Sequence, residues 1–299
     1  MVPTRAFARL KGILRLGPEI AALRRSVEEI RALVGPFGVS FADGTTLVQT
    51  LFGHKYFVDS SDLVMTPQLI VYRQWESELS SFIHSSVTAD SVFVDVGANF
   101  GYFSVLAAAR MGVAGKGFVV AVEPNPQMVA LLRKNAAINW SMAPIRIHAC
   151  AAGARDGSCH LFIPAGGAAN ASLAAPNHEV DYRDAEVELK RVDDLIGDCI
   201  VDLMKIDVEG FELEVLRGAA NAIKRSPRIC ILMEWSLGQM QSAGITAASV
   251  LDFFRGLNLT IYRIPATIPS AETHWRPLQL SEQALIDTAY TNILLRKKN

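Results

Sequence analysis

The sequence predicts a doubly wound α/β fold built around a mostly parallel sheet. Of the 299 residues, 50% are hydrophobic and 20% are charged, which is typical of a folded globular protein. From about residue 90 onward, short and almost wholly apolar segments alternate with helical ones. Continuous apolar strands are buried on both faces, as in a parallel sheet covered by helices. Their regular alternation with helices is the pattern of a doubly wound sheet.

Seven strands and four helices make up this region, which we expect to span residues 89–299. The apolar segments predict strands at Ser91–Val96, Gly117–Glu123, Ile145–Cys150, Val201–Asp207, Arg228–Glu234, Leu259–Ile264 and Tyr290–Arg296. The helices are predicted at Tyr102–Met111, Pro126–Ile138, Glu212–Ile223 and Thr246–Leu257. Between the third and fourth strands, the stretch Pro164–Ala185 is rich in Gly, Ala and Asn and predicts a long loop of functional or mobile character.

Residues 1–36 predict a separate amphipathic helix. Pro18 is suited to the first turn of a helix, and Gly35-Pro36 ends the pattern. Between them, apolar residues recur at alternating spacings of three and four, as in a coiled-coil seam: Ile20, Leu23, Val27, Ile30 and Val34. The helix either packs on its own domain or pairs with another copy in a homo-oligomer, and a basic membrane-surface helix is a third option.

Residues 37–88 connect this helix to the sheet. The alternating pattern around His54–Asp59 predicts a short hairpin. Thr66 as an N-cap, followed by Pro67 at the first helical position, predicts a helix that reaches about His84.

A nucleoside-binding site is predicted where the first two strands end. In an open α/β sheet, ligands bind beyond the carboxyl ends of the strands, at the switch point in strand order. The first strand ends in the run from Asp95 to Gly101, in which Gly97 and Gly101 allow a tight turn and close approach of a ligand to the backbone. The second strand ends at Glu123, followed by Pro124-Asn125, and its carboxylate is placed to accept hydrogen bonds from both ribose hydroxyls.

The adenine is expected beside the third strand, where Cys150-Ala151-Ala152-Gly153 is made of small residues. Such residues leave room for a flat ring against the backbone at Ala152, although the same string also suits an ordinary turn. A nicotinamide dinucleotide is the alternative ligand. It is disfavoured because Asn99 and Tyr102 stand where the dinucleotide fingerprint calls for glycines.

Three blocks of the chain resemble the FkbM-type methyltransferases. These are the run from Phe93 to Ser104, the run Glu123-Pro124-Asn125-Pro126, and the segment from Leu203 to Glu212 followed by Val215-Leu216-Arg217-Gly218-Ala219. The resemblance covers roughly residues 65–237. It implies a Rossmann-like class I fold and an S-adenosylmethionine-dependent O-methyltransferase that acts on sugar hydroxyls of glycans or on natural products.

The motifs described above and the resemblance together indicate which residues contact the cofactor. The candidates are Asp95, Gly97, Asn99, Gly101, Glu123, Asn125, Ala152 and Glu76. Glu76, in the helix before the sheet, is expected to engage the amino group at the methionine end of the cofactor. The alternative reading makes Trp75 a core residue and Glu76 a solvated one.

Lys205, Asp207 and Glu209 are the candidate catalytic residues. They alternate at the end of the fourth strand and therefore point to one side. Methyl transfer to a sugar hydroxyl requires removal of its proton, so Asp207 or Glu209 is predicted to be the base or the group that orients the acceptor, with Lys205 tuning the charge. The alternative is a structural Lys–Asp pair that anchors the next helix.

Glu234, at the end of the fifth strand, is a further candidate that would share a divalent cation with Asp207. Such a cation is possible, but no metal site is predicted.

Composition argues against several other classes of protein. The four cysteines have neither disulfide-framework nor metal-site spacing, and a formal charge of −1 does not call for nucleic acid as a partner, so a nucleic-acid substrate is an open but poorly supported alternative. The chain shows no transmembrane run and no signal peptide, so a cytoplasmic location is expected. The remaining partner is a small-molecule or glycan acceptor. A non-catalytic nucleoside-binding protein on the same fold stays open as an alternative.

Overall fold

The computed structural model describes residues 19–27, 30, 38–164, 171–173, 181–264 and 278–298. The chain divides into two compact units, Met1–Phe37 and Gly38–Asn299. In the first unit, residues 19–27 and 30 are helical, as the apolar seam predicts, while Pro18 and Val34 lie outside the described residues. Within the described ranges, the structure contains no helix with the length and apolarity that a bilayer crossing requires.

The second unit opens with a small antiparallel sheet followed by two helices. Its strands are β1 (Gly38–Ser40), β2 (Thr45–Gln49) and β3 (Lys55–Asp59), and its helices are α1 (Met65–Val71) and α2 (Ser77–Ser86). The predicted hairpin is thus correct for β2 and β3 but lacks the edge strand β1.

The helix predicted from Thr66 to His84 is interrupted, because Arg73 and Glu76 adopt left-handed backbone angles between α1 and α2. The predicted cap is also wrong. The carboxylate of Asp62, not Thr66, accepts hydrogen bonds from the backbone N–H groups at the start of α1.

The α/β region follows the predicted alternation. In chain order its elements are β4 (Val92–Val96), α3 (Tyr102–Met111), β5 (Phe118–Val122), α4 (Pro126–Ile138), β6 (Ile145–His148), β7 (Ala151–Ala152), β8 (Gly157–Pro164), β9 (Tyr182–Lys190), α5 (Val192–Ile196), β10 (Leu203–Ile206), α6 (Glu212–Gly218), α7 (Ala220–Arg225), β11 (Cys230–Ser236), α8 (Leu237–Ser242), α9 (Ala247–Gly256), β12 (Leu259–Arg263), β13 (Leu278–Gln279), α10 (Glu282–Ile286) and β14 (Tyr290–Lys297).

The central sheet has the strand order β13-β12-β14-β11-β10-β4-β5-β6. The five strands from β11 to β6 are mutually parallel, and β14 runs antiparallel between β11 and β12. All seven predicted strands are present, and β13 adds a short edge strand that the sequence did not predict. Successive residues of β4 enter different apolar clusters, Phe93 on one face and Val94 on the other, so the sheet is buried on both faces.

Two local features differ from the prediction. The helix predicted over Glu212–Ile223 consists of α6 and α7, because the backbone of Ala219 (φ −103°, ψ 5°) leaves the helical range. The predicted loop Pro164–Ala185 is shorter, since β8 and β9 form an antiparallel hairpin that includes Pro164 and Tyr182–Ala185. Most of the remaining loop residues lie outside the described ranges.

Candidate cofactor and acceptor site

A cavity of about 200 Å³ lies where β4, β5, β10 and β11 end. The strand order reverses between β4 and β10, so the cavity occupies the position where open α/β sheets bind ligands. Eight of the predicted site residues line it: Glu76, Gly97, Asn99, Glu123, Ala152, Lys205, Asp207 and Glu209. The other three, Asp95, Gly101 and Asn125, do not line the cavity and support those that do.

The glycine loop after β4 makes a tight turn, as its sequence predicts. Gly97 and Gly101 have φ values of 76° and 90°, and Asn99 between them has φ 54°. A Cβ on Gly97 would lie 1.8 Å from the backbone oxygen of Asp207, and one on Gly101 would lie 2.2 Å from Cδ1 of Leu132. Protein atoms therefore fill the space beside both glycines, and Gly101 is required by packing rather than by contact with the cavity.

Glu123 is the acidic residue at the end of β5, and it is oriented by two backbone donors. The N–H of Asn99 donates to Oε2 at 2.8 Å, and the N–H of Asn125 donates to Oε1 at 2.8 Å. Asn125 in turn caps α4 by accepting from the N–H of Gln127. Burial raises the pKa of Glu123 to about 7, against the lowering effect of these hydrogen bonds. Each carboxylate oxygen retains a lone pair with which to accept a hydrogen bond from a ligand hydroxyl.

Lys205 is a buried ammonium held between two carboxylates. Its side chain is 3% exposed, and Nζ lies 2.9 Å from Oδ2 of Asp207 and 4.0 Å from Oδ1 of Asp95. Burial lowers the pKa of Lys205, but the charges of Asp207 and Asp95 outweigh that effect, so the pKa is raised and the group is cationic. Asp95 is fully buried and also accepts a hydrogen bond from Oγ of Ser104 at 2.6 Å. Asp95 therefore anchors Lys205, although the sequence predicted it as a cofactor contact.

Glu209 and Glu76 both line the cavity in left-handed backbone conformations, with φ values of 54° and 37°. Non-glycine residues in this region are strained, and such strain is concentrated at functional sites. The side-chain amide of Gln239 donates a hydrogen bond to Oε2 of Glu209. Burial and the charge of Asp207 raise the pKa of Glu209 to about 8. Burial also raises the pKa of Glu76 to about 7, against the opposing charge of Lys205.

The turn that carries Glu76 is attached to the helix after the glycine loop. The N–H of Trp75 donates to the hydroxyl of Tyr102 at 3.2 Å, and Oγ of Ser80 donates to the backbone oxygen of Trp75 at 2.5 Å. Oε2 of Glu76 is buried without a hydrogen-bond partner among the described residues. Glu76 is thus neither helical nor solvated, and it faces the cavity with an unsatisfied acceptor.

Several residues that line the cavity were missed as site residues in the sequence. The sequence suggests Glu234 only as a metal ligand. It gives no local signal for Tyr290, Leu161 and Leu173, because these residues reach the cavity from β14 and from the β8–β9 insertion. In the described part of the chain, no three His, Cys, Asp or Glu side chains are grouped as a metal site. The possible shared cation between Asp207 and Glu234 therefore has no third protein ligand there.

The strand order, the glycine loop and the acid at the end of β5 define a class I, Rossmann-like methyltransferase fold. Residues 95–258, more than half of the chain, match the family model described as the methyltransferase FkbM domain. The chain belongs to the FkbM methyltransferase family.

Similar proteins come from fungi and bacteria. "Methyltransferase 1" of Beauveria bassiana is 28% identical over 43% of this chain and 58% of its own length. "Methyltransferase sdnD" of Sordaria araneosa is 26% identical over 45% of this chain and 62% of its own length. The match thus spans about three fifths of the length of these curated relatives. The crystal structure of methyltransferase FkbM from Methylobacillus flagellatus KT is 17% identical with a TM-score of 0.42, over 71% of this chain and 47% of that one.

Proposed function

We propose that the protein transfers a methyl group from S-adenosylmethionine to a hydroxyl of a sugar, glycan or natural-product acceptor. The observation that supports this most directly is the carboxylate of Glu123, oriented by two backbone N–H groups at a strand end beside the glycine loop. That arrangement suits the two adjacent hydroxyls of a ribose. Membership of the FkbM family supports the same cofactor.

The cavity residues offer contacts to three parts of this cofactor: the ribose, the adenine and the amino group. Glu123 binds the ribose hydroxyls, and the small side chain of Ala152 leaves room for the adenine at the end of β7. Gly97 and Asn99 shape the loop beneath the ribose. The unsatisfied carboxylate oxygen of Glu76 accepts from the cationic amino group at the methionine end.

When bound, S-adenosylmethionine supplies a methyl group on a sulfonium whose sulfur departs neutral. Lys205 holds the carboxylate of Asp207 in place through their 2.9 Å ion pair, and Asp207 and Glu209 orient the acceptor hydroxyl toward that methyl group. Orientation of this kind contributes up to roughly 7–11 kcal/mol to lowering the barrier, and removal of the acceptor proton contributes about 10²–10⁴-fold in rate.

Calorimetric titration distinguishes this function from its alternatives. We expect S-adenosylmethionine and S-adenosylhomocysteine to bind the wild-type protein and NAD to give no heat. Binding of NAD alone would instead indicate an oxidoreductase on the same fold. Binding of S-adenosylmethionine with no transfer to any acceptor would indicate a non-catalytic nucleoside-binding protein.

The acceptor is found by incubating the full chain with S-adenosylmethionine that carries a labelled methyl group and with glycan, lipid and metabolite fractions of the host. Label in a glycan or natural-product fraction supports the proposed acceptor class, and label that is stable to base excludes a methyl ester and is consistent with the ether that O-methylation of a hydroxyl forms. Label in nucleic acid would contradict the proposed acceptor class. A cytoplasmic location stays a prediction. Self-association through residues 1–36 is also a prediction, and sedimentation of the full chain would test it.

A further inference from the structure

Three carboxylates surround the acceptor side of the cavity, and they differ in what already binds them. Asp207 is paired with Lys205 at 2.9 Å, and Glu209 accepts a hydrogen bond from the amide of Gln239. Oε2 of Glu234 is buried and has no hydrogen-bond partner among the described residues. Of the three, Glu234 is the one that has a buried carboxylate oxygen without a hydrogen-bond partner, and it is not paired with Lys205 as Asp207 is.

The sheet register places Glu234 directly at the cavity. Met233 pairs with Ile206 in the parallel ladder between β11 and β10, so the next residue, Glu234, lies across from Asp207. On its other side Glu234 pairs with Asn292 of β14. Both Glu234 and Tyr290, the latter at the start of β14, line the cavity.

The charged and polar groups that face Glu234 come from every element around it. They are Asp207 and Lys205 at β10, Glu209 and Glu212 before and in α6, Glu76 before α2, Gln239 in α8 and Tyr290 in β14. Burial and the charge of Asp207 raise the pKa of Glu234, while its interaction with the Tyr290 hydroxyl lowers it. A carboxylate with a raised pKa is a stronger base than an ordinary one.

We propose that Glu234 is the general base of the reaction, an inference that rests on the proposed methyl transfer. The proton of the acceptor hydroxyl passes to the carboxylate of Glu234. The freed electron pair on the acceptor oxygen forms the new O–C bond to the methyl group. The C–S bond breaks, and its electron pair stays on sulfur, which leaves as a neutral thioether. Tyr290 is a positioning residue that holds the Glu234 carboxylate toward the cavity.

The first experiment needs no acceptor. Sinefungin is an analogue of S-adenosylhomocysteine in which a carbon bearing an ammonium group replaces the sulfur, so its cation takes the place of the transferred methyl group. Titration calorimetry compares the two ligands on the wild-type protein and on Glu234→Gln, Asp207→Asn and Glu209→Gln. The exposed Glu186→Gln is the matched control.

We expect the wild-type protein to prefer sinefungin by about 10-fold or more, as a charge-assisted hydrogen bond provides. Glu234→Gln should abolish that preference and leave the affinity for S-adenosylhomocysteine within about twofold of the wild-type value, within the usual effect of a neutral substitution. An undiminished preference in Glu234→Gln, or its loss only in Asp207→Asn or Glu209→Gln, overturns the assignment to Glu234. If neither ligand binds the wild-type protein, the proposed function itself fails.

The second experiment measures single-turnover methyl transfer to the labelled fraction across pH. The wild-type rate should rise with pH as Glu234 loses its proton, and Glu234→Gln should lower the rate by about 10²–10⁴-fold and remove that rise. Tyr290→Phe should move the rise to higher pH, because the interaction that lowers the pKa of Glu234 is lost, and should lower the plateau rate far less than Glu234→Gln does, because the base itself remains. A Glu234→Gln rate within about threefold of wild type, far smaller than the loss of a general base, contradicts the proposal.

Discussion

The two halves of the cavity are built in different ways. In the cofactor half, Glu123 is held by backbone N–H groups of Asn99 and Asn125, which lie close to it in sequence or in the adjoining loop. In the acceptor half, which also receives the methionine end of the cofactor, carboxylates from three distant segments surround the ammonium of Lys205: Glu76, the pair Asp207 and Glu209, and Glu234. The first half is specified by local sequence, and the second by the order of strands in the sheet. The predictions below test this difference.

Removing the ammonium of the acceptor half should have the largest effect on stability. Lys205→Met leaves the fully buried Asp95 without its cation, and breaking a buried ion pair in this way costs about 3–5 kcal/mol. The uncompensated carboxylates destabilise the protein only when ionised, so the loss should shrink as the pH is lowered and Asp95 takes up a proton. Chemical denaturation of the variant at several pH values measures both effects.

The control is Lys134→Met, which removes an exposed pair with Asp43. It should change stability by less than about 1 kcal/mol. Equal losses in the two variants would mean that the buried ammonium does not hold the acceptor half together.

Gly97 joins the two halves, because Asp207 of the acceptor half packs its backbone oxygen against the glycine loop. Gly97→Ala should therefore combine overpacking of about 1–3 kcal/mol with left-handed strain of about 1–2 kcal/mol. Gly44→Ala has a similar φ of 79° but open space around its Cβ, so only the strain should appear. Thermal unfolding measures the loss of stability in each variant, and the difference between the two losses is the contribution of overpacking at Gly97. Identical melting temperatures for the two variants would contradict the predicted overpacking.

In the cofactor half, Glu123→Gln should weaken binding with little loss of stability. An amide presents an N–H group to one of the two backbone donors and forms weaker hydrogen bonds with ribose hydroxyls. We expect the affinity for S-adenosylhomocysteine to fall by about 10–100-fold, the effect of a charge-assisted hydrogen bond of about 1.5–3 kcal/mol. Calorimetry on the exposed variant Glu78→Gln serves as the control. An unchanged affinity in Glu123→Gln would place the ribose elsewhere.

A smaller effect is expected in the pH dependence of cofactor binding. Glu76 attracts an ammonium group only when ionised, and its pKa is about 7. The affinity for S-adenosylhomocysteine should therefore rise as the pH increases through 7, and Glu76→Gln should flatten the part of that rise that belongs to Glu76. A variant with the same slope as the wild-type protein would show that Glu76 does not face the amino group.

The sequence predicted the cofactor half more completely than the acceptor half. The glycine loop and Glu123 sit in runs whose strand–helix context is readable from periodicity, and the seven strands around them were located to within a few residues. The break before Glu76 was not foreseen, because the left-handed turn there is fixed by contacts with Tyr102, far along the chain. Tyr290 joins the site only because β14 inserts beside β11, a pairing that no local pattern reveals.

The raised pKa values in the cavity also have a consequence for the heat of binding. Glu76, Glu123 and Glu209, with pKa values of about 7, 7 and 8, each carry a fraction of a proton at neutral pH. A cationic ligand favours their ionised forms and therefore expels those protons into the buffer. The measured enthalpy should depend on the ionisation heat of the buffer, and more so for the sulfonium S-adenosylmethionine than for the thioether product. Each binding of the cofactor should therefore release protons from the carboxyl groups of the cavity.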